Sequence, residues 1–335
     1  MGSNTNLGKI DRNLSETMGR VKISVVVTVL DEEKTVGSLL DSLLNQTKKA
    51  DEIVVVDGGS NDKTVQIIKH YQKKDKKIKL LQERGNIAHG RNNGIEVADN
   101  DIIVTTDAGC IPHPDWLEKI TAPFKHANVG LVAGFYDMPT KTPMQKAISV
   151  YMGIHPKRYD SEAFLPSTRS VAFKKQLWEK VGGFNERLDK TGEDTQFFYN
   201  IVKTGTRIVR VGEARVDWKE FENISFKEAM RKFFNYAKGD AQSKIWRHPT
   251  KKLMSHNIKV VFIFIRYLFG LFLLFQSIMS PPLFRLLEIL IVLYIFWPIW
   301  KWRDVIYDLR TKLWLPVIQI SSDFAVMSGF LYGIF

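Results

Sequence analysis

Apolar residues follow two patterns along the chain: short clusters divided by polar segments in the amino-terminal two thirds, and long unbroken stretches after residue 257. Ile23 to Val29 (ISVVVTV) is a β-branched run, too short for a helix of that composition and closed by Asp31-Glu32-Glu33, and it predicts a buried strand. Thr35 to Leu44 then sets Val36, Leu39, Leu40, Leu43 and Leu44 at helical spacing. Ile53 to Val56 predicts a second strand, ending at Asp57-Gly58-Gly59-Ser60, and Val65 to Tyr71 repeats the helical pattern. Lys79 to Leu81 and Ile102 to Thr106 predict two more strands, the latter ending at Asp107-Ala108-Gly109. Strands alternating with helices imply an α/β fold with a mostly parallel, helix-covered sheet.

Ile258 to Met279, Leu283 to Trp300 and Leu313 to Phe335 each approach the ~20 residues a helix needs to cross hydrocarbon. Trp297, Trp300, Trp302 and Trp314 stand near their ends, as in interfacial aromatic belts. A carboxyl-terminal membrane anchor of about three transmembrane helices is expected, with the short second stretch its weakest span. Arg247, Lys251, Lys252 and Lys259 flank the first stretch, and Lys301, Arg303, Arg310 and Lys312 fill the loop between the second and third. The bias of basic residues to the inner face puts the amino-terminal region in the cytosol and the carboxyl terminus outside, in the plasma membrane or its equivalent. A charge within a span costs about 2.5 to 3.5 kcal/mol near a helix centre, so Arg266, Glu288 and Asp323 need partners. Arg266 and Asp323 lie at similar depth from the cytosolic side and are the expected pair.

Composition narrows the picture further. Of 335 residues, 48 are Lys or Arg and 36 Asp or Glu, a net charge of +12, and 44% are hydrophobic, which excludes a disordered chain. The lone Cys110 excludes an internal disulfide framework and a four-cysteine zinc site. The positive charge suits an anionic membrane surface, and no nucleic-acid recognition module is visible. Residues 1–20 are polar, read as a mobile tail, and show no cleavable signal. Sequons begin at Asn13, Asn45 and Asn223, and a cytosolic placement leaves all three unused.

Asp31, Asp57 and Asp107 each fall just past a separate apolar strand, on the rim where open α/β sheets bind ligands. One such acid is commonly a helix cap; three on one rim favour a polar site.

Five strings extend this pattern: Thr28-Val29-Leu30-Asp31-Glu32-Glu33, Val55-Val56-Asp57-Gly58-Gly59-Ser60-Asn61-Asp62-Lys63-Thr64, Gly90-Arg91-Asn92-Asn93-Gly94, Thr106-Asp107-Ala108-Gly109 and Gly192-Glu193-Asp194-Thr195. In order and approximate spacing they resemble glycosyltransferase family 2, inverting enzymes with the GT-A fold, over roughly residues 21 to 245. The resemblance implies a Rossmann-like nucleotide-diphospho-sugar transferase domain, a UDP- or GDP-linked sugar donor, a divalent cation and a single displacement. On that footing Asp31, Asp57, Arg91 and Asp107 contact the donor, with Arg84 a further cationic candidate. Asp107 also holds Mg²⁺ or Mn²⁺, whose electrophilic help the leaving diphosphate requires. Gly109 stands where the family's Asp-x-Asp element has its second acid, so a weakened metal site is expected; His113 is a further possible ligand, read chiefly as a loop residue.

Asp194 matches the family's general base, which takes the acceptor's proton. Val181-Gly182-Gly183-Phe184-Asn185-Glu186 resembles the loop on the acceptor side, where Gly183 is the candidate, and Glu193 is expected to start a helix or stand behind the base. The anchor favours a lipid-linked acceptor, and Arg266 is then also a candidate to hold its phosphate. Gln242-Ser243-Lys244-Ile245-Trp246 is similar to the Gln-x-x-Arg-Trp element of processive synthases but lacks its arginine. A polysaccharide synthase and a non-catalytic nucleotide-sugar-binding protein are the alternatives to a hexosyltransferase-like enzyme. The expected organisation is a tail over 1–20, a catalytic domain over 21–224, an amphipathic interface helix and basic linker over 225–257, and the anchor over 258–335.

Overall fold

The computed structural model describes residues 21–188, 191–244, 254–278 and 280–335. The expected tail over 1–20 and the expectations resting on Ile245, Trp246, Arg247, Lys251 and Lys252 lie outside the described residues.

The first half alternates as its apolar pattern dictates: β1 (Ile23–Val29), α1 (Val36–Leu44), β2 (Glu52–Asp57), α2 (Thr64–Lys74), β3 (Ile78–Gln82), α3 (Ile87–Glu96) and β4 (Ile102–Thr105). There follow β5 (Cys110–Pro112), α4 (Trp116–Thr121), β6 (Leu131–Asp137), α5 (Pro143–Met152), β7 (Val171–Lys174), α6 (Lys175–Val181), α7 (Glu193–Lys203) and β8 (Ile208–Trp218). One mixed sheet runs in the order β3-β2-β1-β4-β7-β6-β8-β5. Its β3-β2-β1-β4 half is parallel throughout. Val25, Val26, Val27, Val54, Val55 and Val56 are all buried, which explains the continuous rather than alternating apolar runs of a sheet covered on both faces. On one face α3 packs close enough that a Cβ at Gly94 would lie 2.6 Å from Val26 Cγ1 and 2.8 Å from Val56 Cγ2. Because β1, β2 and β4 are parallel neighbours, their carboxyl ends share one rim.

The remaining helices are α8 (Phe226–Gln242), α9 (Met254–Ser277), α10 (Pro281–Lys301) and α11 (Leu309–Ile334). A reciprocal capping box of Ser225 and Glu228 starts α8. Lys259–Ser277, Pro281–Lys301 and Leu309–Ile334 are long and apolar enough to cross a membrane. Along α9 and α10, side chains such as Phe262, Leu268, Leu271, Ile289 and Phe296 are more than half exposed, as in helices whose solvent is lipid. Helix α11 is different. Thr311, Leu315, Ile318, Gln319 and Ser322 are buried on one face, Phe226 meets Trp314 at 6.5 Å between ring centroids, and Phe234 meets Tyr332 at 5.8 Å. Gly329 lies directly against the Phe234 backbone, where any side chain would collide.

The apolar face of α8, expected to rest on a membrane, is thus taken up by α11: Phe233 and Ala237 are buried. Contacts run from Phe226 with Trp314 to Ala241 with Gly333, about 22 Å of α8 at 1.5 Å per residue, so α11 follows α8 along most of its length. Helix α8 carries Lys227, Glu228, Arg231, Lys232 and Lys238, a composition unsuited to crossing hydrocarbon. The third apolar stretch is thus long and apolar enough to cross a membrane and is also packed along α8. Side chains of the α/β layer also grip the loop before it: Arg158 reaches Asp304 at 3.0 Å and stacks 3.7 Å from the Trp302 ring, and Lys146 meets Asp308 at 3.0 Å.

Candidate active site

The loops after β1 and β2 are laced into one wall. Asp31 has φ 55°, a left-handed conformation that aspartate tolerates better than most residues. Its Oδ1 accepts from Asn61 N at 2.7 Å, while its own N–H donates to Ser60 Oγ at 2.9 Å. Glu32 N donates to Thr64 Oγ1 at 2.7 Å and Glu33 N to Asp62 Oδ2 at 3.0 Å. Asp57 is 1% exposed, and its carboxylate accepts from the backbone N–H groups of Gly59 and Ser60 at 3.2 Å. The structure gives Asp57 the work of shaping the turn, whereas Asp31 is exposed on the rim. Arg84 is exposed and folds over Gly59, where a Cβ would lie 2.8 Å from Arg84 Cγ.

Arg91, expected to meet the donor, is instead a strut inside the protein: its side chain is 5% exposed. Its Nη1 donates to Glu193 Oε1 at 2.5 Å, and its Nη2 to Asp107 Oδ1 at 3.0 Å and Thr168 Oγ1 at 2.9 Å. Burial acts to lower its pKa, but Asp107, Glu193 and Asp194 outweigh burial and the net direction is up. Burial pushes the Glu193 carboxyl up despite the pull of Arg91. Sequence-distant Asp107 and Glu193 are thereby locked to one guanidinium, with Asp194 next to Glu193 in the chain. Asp194 opens α7, half-buried, with Oδ1 accepting from Thr195 N at 2.7 Å. The preceding Gly192 has φ 91° and abuts α8, where a Cβ would lie 2.8 Å from Gly239 O; only glycine fits.

Three groups of this centre carried no pattern in the sequence. Arg169, just before β7, lays its guanidinium 3.9 Å from the Trp218 ring centroid and 5.1 Å from that of Tyr136. Its Nε lies 3.9 Å from Asp107 Oδ2. Trp218 ends β8, and a strand-terminal tryptophan followed by charged residues was the available signal. Glu220, in the 3₁₀ turn Lys219–Asn223, takes a hydrogen bond from Trp218 Nε1 at 3.1 Å and pairs with Lys232 at 2.9 Å.

A divalent cation of the Mg²⁺ or Mn²⁺ type needs hard oxygen donors. Asp107 offers a carboxylate; position 109 offers none, but a Cβ built on Gly109 would lie 3.5 Å from Glu220 Cβ, so an acid from another stretch stands beside the missing one. Burial, with Glu220, Asp62 and Asp107 adding their charge, pushes the nearby Glu32 carboxyl above the usual range despite a bond from Thr35. Hard carboxylate donors of the kind such a cation takes are thus present near position 109, in Asp107 and Glu220. His113 lies elsewhere: with Asp137 and Asp217 it forms a group of metal-capable atoms within 4.8 Å of one another. Asp217 alternates in β8 with Trp218, so it points to the opposite face of the ladder. Arg215 at 3.2 Å from Asp137 and Lys219 at 3.4 Å from Asp217 already offset its charge.

In the loop expected to face the acceptor, Gly183, at φ 71°, leaves room for Asn92 Oδ1, which a Cβ would approach to 2.8 Å. Asn92 there donates to Phe184 O at 2.9 Å and to Glu186 Oε1 at 2.7 Å. Arg266 is remote from this centre among the apolar helices. Its Nη2 meets Asp323 Oδ2 at 2.5 Å, and the same carboxylate accepts from Tyr294 at 2.5 Å.

Residues 24–175 match the model of Glycosyl transferase family 2. The glycosyltransferase AglE of Haloferax volcanii is 26% identical over 178 residues, 51% of this chain and 58% of AglE. An uncharacterized glycosyltransferase, EpsJ of Bacillus subtilis, is 24% identical over 62% of this chain and 65% of its own length. The chain thus spans less than two thirds of either relative. In fold, the mannosyltransferase PcManGT from Pyrobaculum calidifontis, solved with GDP-Man and Mn²⁺, superposes with a TM-score of 0.66 over 95% of this chain and 92% of its own, at 19% identity. Three acids on one sheet rim, a matching domain model and a shared architecture agree: the chain carries a family 2 glycosyltransferase domain on the GT-A fold.

Proposed function

We propose that this glycosyltransferase moves a sugar from a UDP- or GDP-linked donor to a lipid-linked acceptor at the cytosolic face of a membrane. The observation that carries this reading is Arg91, which ties Asp107 on the rim of β4 to Glu193 beside Asp194, uniting a donor side and an acceptor side in one centre. The nucleoside lies against the wall built by the Asp31 and Asp57 loops. Asp194 takes the acceptor hydroxyl's proton as the oxygen attacks the anomeric carbon, and the bond from that carbon to the diphosphate breaks on the opposite side. Asp107 and Glu220 would hold a divalent cation, which when bound supplies Lewis-acid stabilisation of the leaving diphosphate. The complex of the structural neighbour with GDP-Man and Mn²⁺ supports the same classes of donor and ion.

The membrane part of the reading rests on α9 and α10, which we read as a hairpin in the bilayer, with α11 at its surface under the catalytic layer. The basic loop Lys301, Arg303, Arg310 and Lys312 is joined to that layer through Arg158 and Lys146, which supports a cytosolic placement of both. Arg266 has Asp323 as its anion, and we read it as a fastener of the helices before a lipid-phosphate contact.

The test is to incubate the full chain in detergent with a panel of nucleotide sugars and membrane lipid extract, with and without Mn²⁺. Release of nucleoside diphosphate with sugar incorporated into lipid is expected; no release with any donor would overturn the reading.

A further inference from the structure

Arg169 holds a cation where the protein leaves it incompletely matched. Its side chain is 17% exposed, and its Nε is buried and has no hydrogen-bond partner among the described residues. Of its five N–H donors, Nη1 serves Ser167 Oγ at 3.0 Å, and Nη2 makes only a long contact of 3.4 Å with Tyr236 OH. The sole carboxylate within ion-pair distance among the described residues, Asp107, stands 3.9 Å away and gives its other oxygen to Arg91. A buried charge this poorly paired is costly in the free protein and is recovered when an anion arrives. Trp218, with its ring centroid 3.9 Å from the guanidinium, and Tyr136, at 5.1 Å and with its ring turned 85° from that of Trp218, hold the group in place. A planar guanidinium fork matches the oxygens of a phosphate.

We infer that Arg169 is a catalytic residue that binds a substrate phosphate beside Asp107, foremost the diphosphate of the donor. As the acceptor oxygen bonds to the anomeric carbon, the electron pair of the broken carbon–oxygen bond stays on the diphosphate. Arg169 meets that added charge with its incompletely paired guanidinium, while the acceptor's proton goes to Asp194. This rests on the donor reading above. Burial acts to lower the pKa of Arg169, but Tyr236, Asp107 and Tyr136 outweigh it, so the group stays charged.

Calorimetric titration of the full chain in detergent separates the possibilities, with UDP, GDP, uridine, guanosine and a polyprenyl phosphate as probes. Arg169→Gln should weaken the favoured nucleoside diphosphate by about ten- to a hundredfold, the loss of one or two charged hydrogen bonds, and leave the matching nucleoside unchanged. Arg169→Lys, which keeps the charge and much of the stacking, should fall between and guards against a folding defect, checked by its melting temperature. A loss confined to the polyprenyl phosphate would support the phosphate site and assign it to the acceptor. Variants that melt as wild type and bind every phosphate probe as wild type would overturn the inference alone. Wild-type protein that binds neither UDP nor GDP would overturn the donor reading, and this one with it.

Discussion

Arg91 Nη1 lies 2.5 Å from Glu193 Oε1, across 102 residues of sequence and with both side chains about 5% exposed. Breaking a buried pair by removing one partner costs about 3 to 5 kcal/mol, because the other charge is left without compensation. Arg91→Met should therefore lower stability by that amount in denaturant titrations, and Arg91→Met combined with Glu193→Leu should recover much of it. A single variant as stable as wild type would mean that the strut bears no weight.

Asp194 is tied to the backbone of its own helix and to the field of Arg91, not to the loops that would take the nucleotide. Asp194→Asn should thus keep nucleoside diphosphate affinity within a factor of about two and lose about 10² to 10⁴ in turnover, the usual share of a general base. Turnover near that of wild type would remove Asp194 from the mechanism.

Hydrogen bonds from Asn92 and His89 hold the Glu186 carboxyl below the usual carboxylate range. A carboxyl with a lowered folded pKa stabilises the fold above its unfolded value, near 4.3, and that contribution fades as pH falls through the folded value. Its side chain is 45% exposed, so solvent screens the effect and the change should be local. Amide protection in the Gly183 to Leu188 loop should drop below about pH 4 in the wild type, and Glu186→Gln should show no such step. A step of equal size in the variant would assign it to another group.

The half of the fold built from local signals was legible in advance. The alternation through β4 follows from runs of β-branched residues, and the rim acids follow from strand ends. The excursion from β5 to β8 was not legible, because its strands pair across long separations and β7 runs antiparallel to both neighbours. Arg91 sat in a recognisable string, but only the packing of α3 against the sheet reveals that its charge is spent internally. Arg169 and Glu220 emerge from segments without periodicity and reach Asp107 and Gly109, respectively, only in three dimensions. Apolarity marked α11 correctly as a helix that avoids water, yet the same residues satisfy a lipid or another helix, and pattern alone cannot choose between them.

Among the apolar helices, Asp323 gathers Arg266 and the hydroxyls of Tyr294 and Tyr267, so one carboxylate joins α9, α10 and α11. Asp323→Asn should lower the melting temperature in detergent by leaving Arg266 without its anion. Arg266→Leu with Asp323→Leu should restore part of the loss, since an apolar pair removes both desolvation costs. If Arg266 serves lipid phosphate instead, the double variant will lose polyprenyl phosphate affinity, whereas a purely structural pair leaves that affinity unchanged.

The packing of α11 along α8 has a consequence for the side on which the chain ends. A helix packed along α8, which carries Lys232 and Lys238, for about 22 Å should stay out of the hydrocarbon, because α8 would have to follow it. Its apolar outer face, including Leu313, Val317 and Leu331, is exposed at the surface of the bundle and suits the lipid boundary rather than the bilayer core. The carboxyl terminus should then lie on the same side as the catalytic domain, with α9 and α10 forming the only crossing pair among the described residues. Single cysteines placed at Ser280 and after Phe335, in a background with Cys110→Ser, test this in sealed vesicles with a membrane-impermeant thiol reagent. The carboxyl-terminal cysteine should label together with one on the catalytic surface, such as Lys119→Cys, and Ser280→Cys only from the opposite side. Labelling of the carboxyl-terminal cysteine from the side of Ser280 would restore three crossings and require α8 and α11 to separate in the membrane.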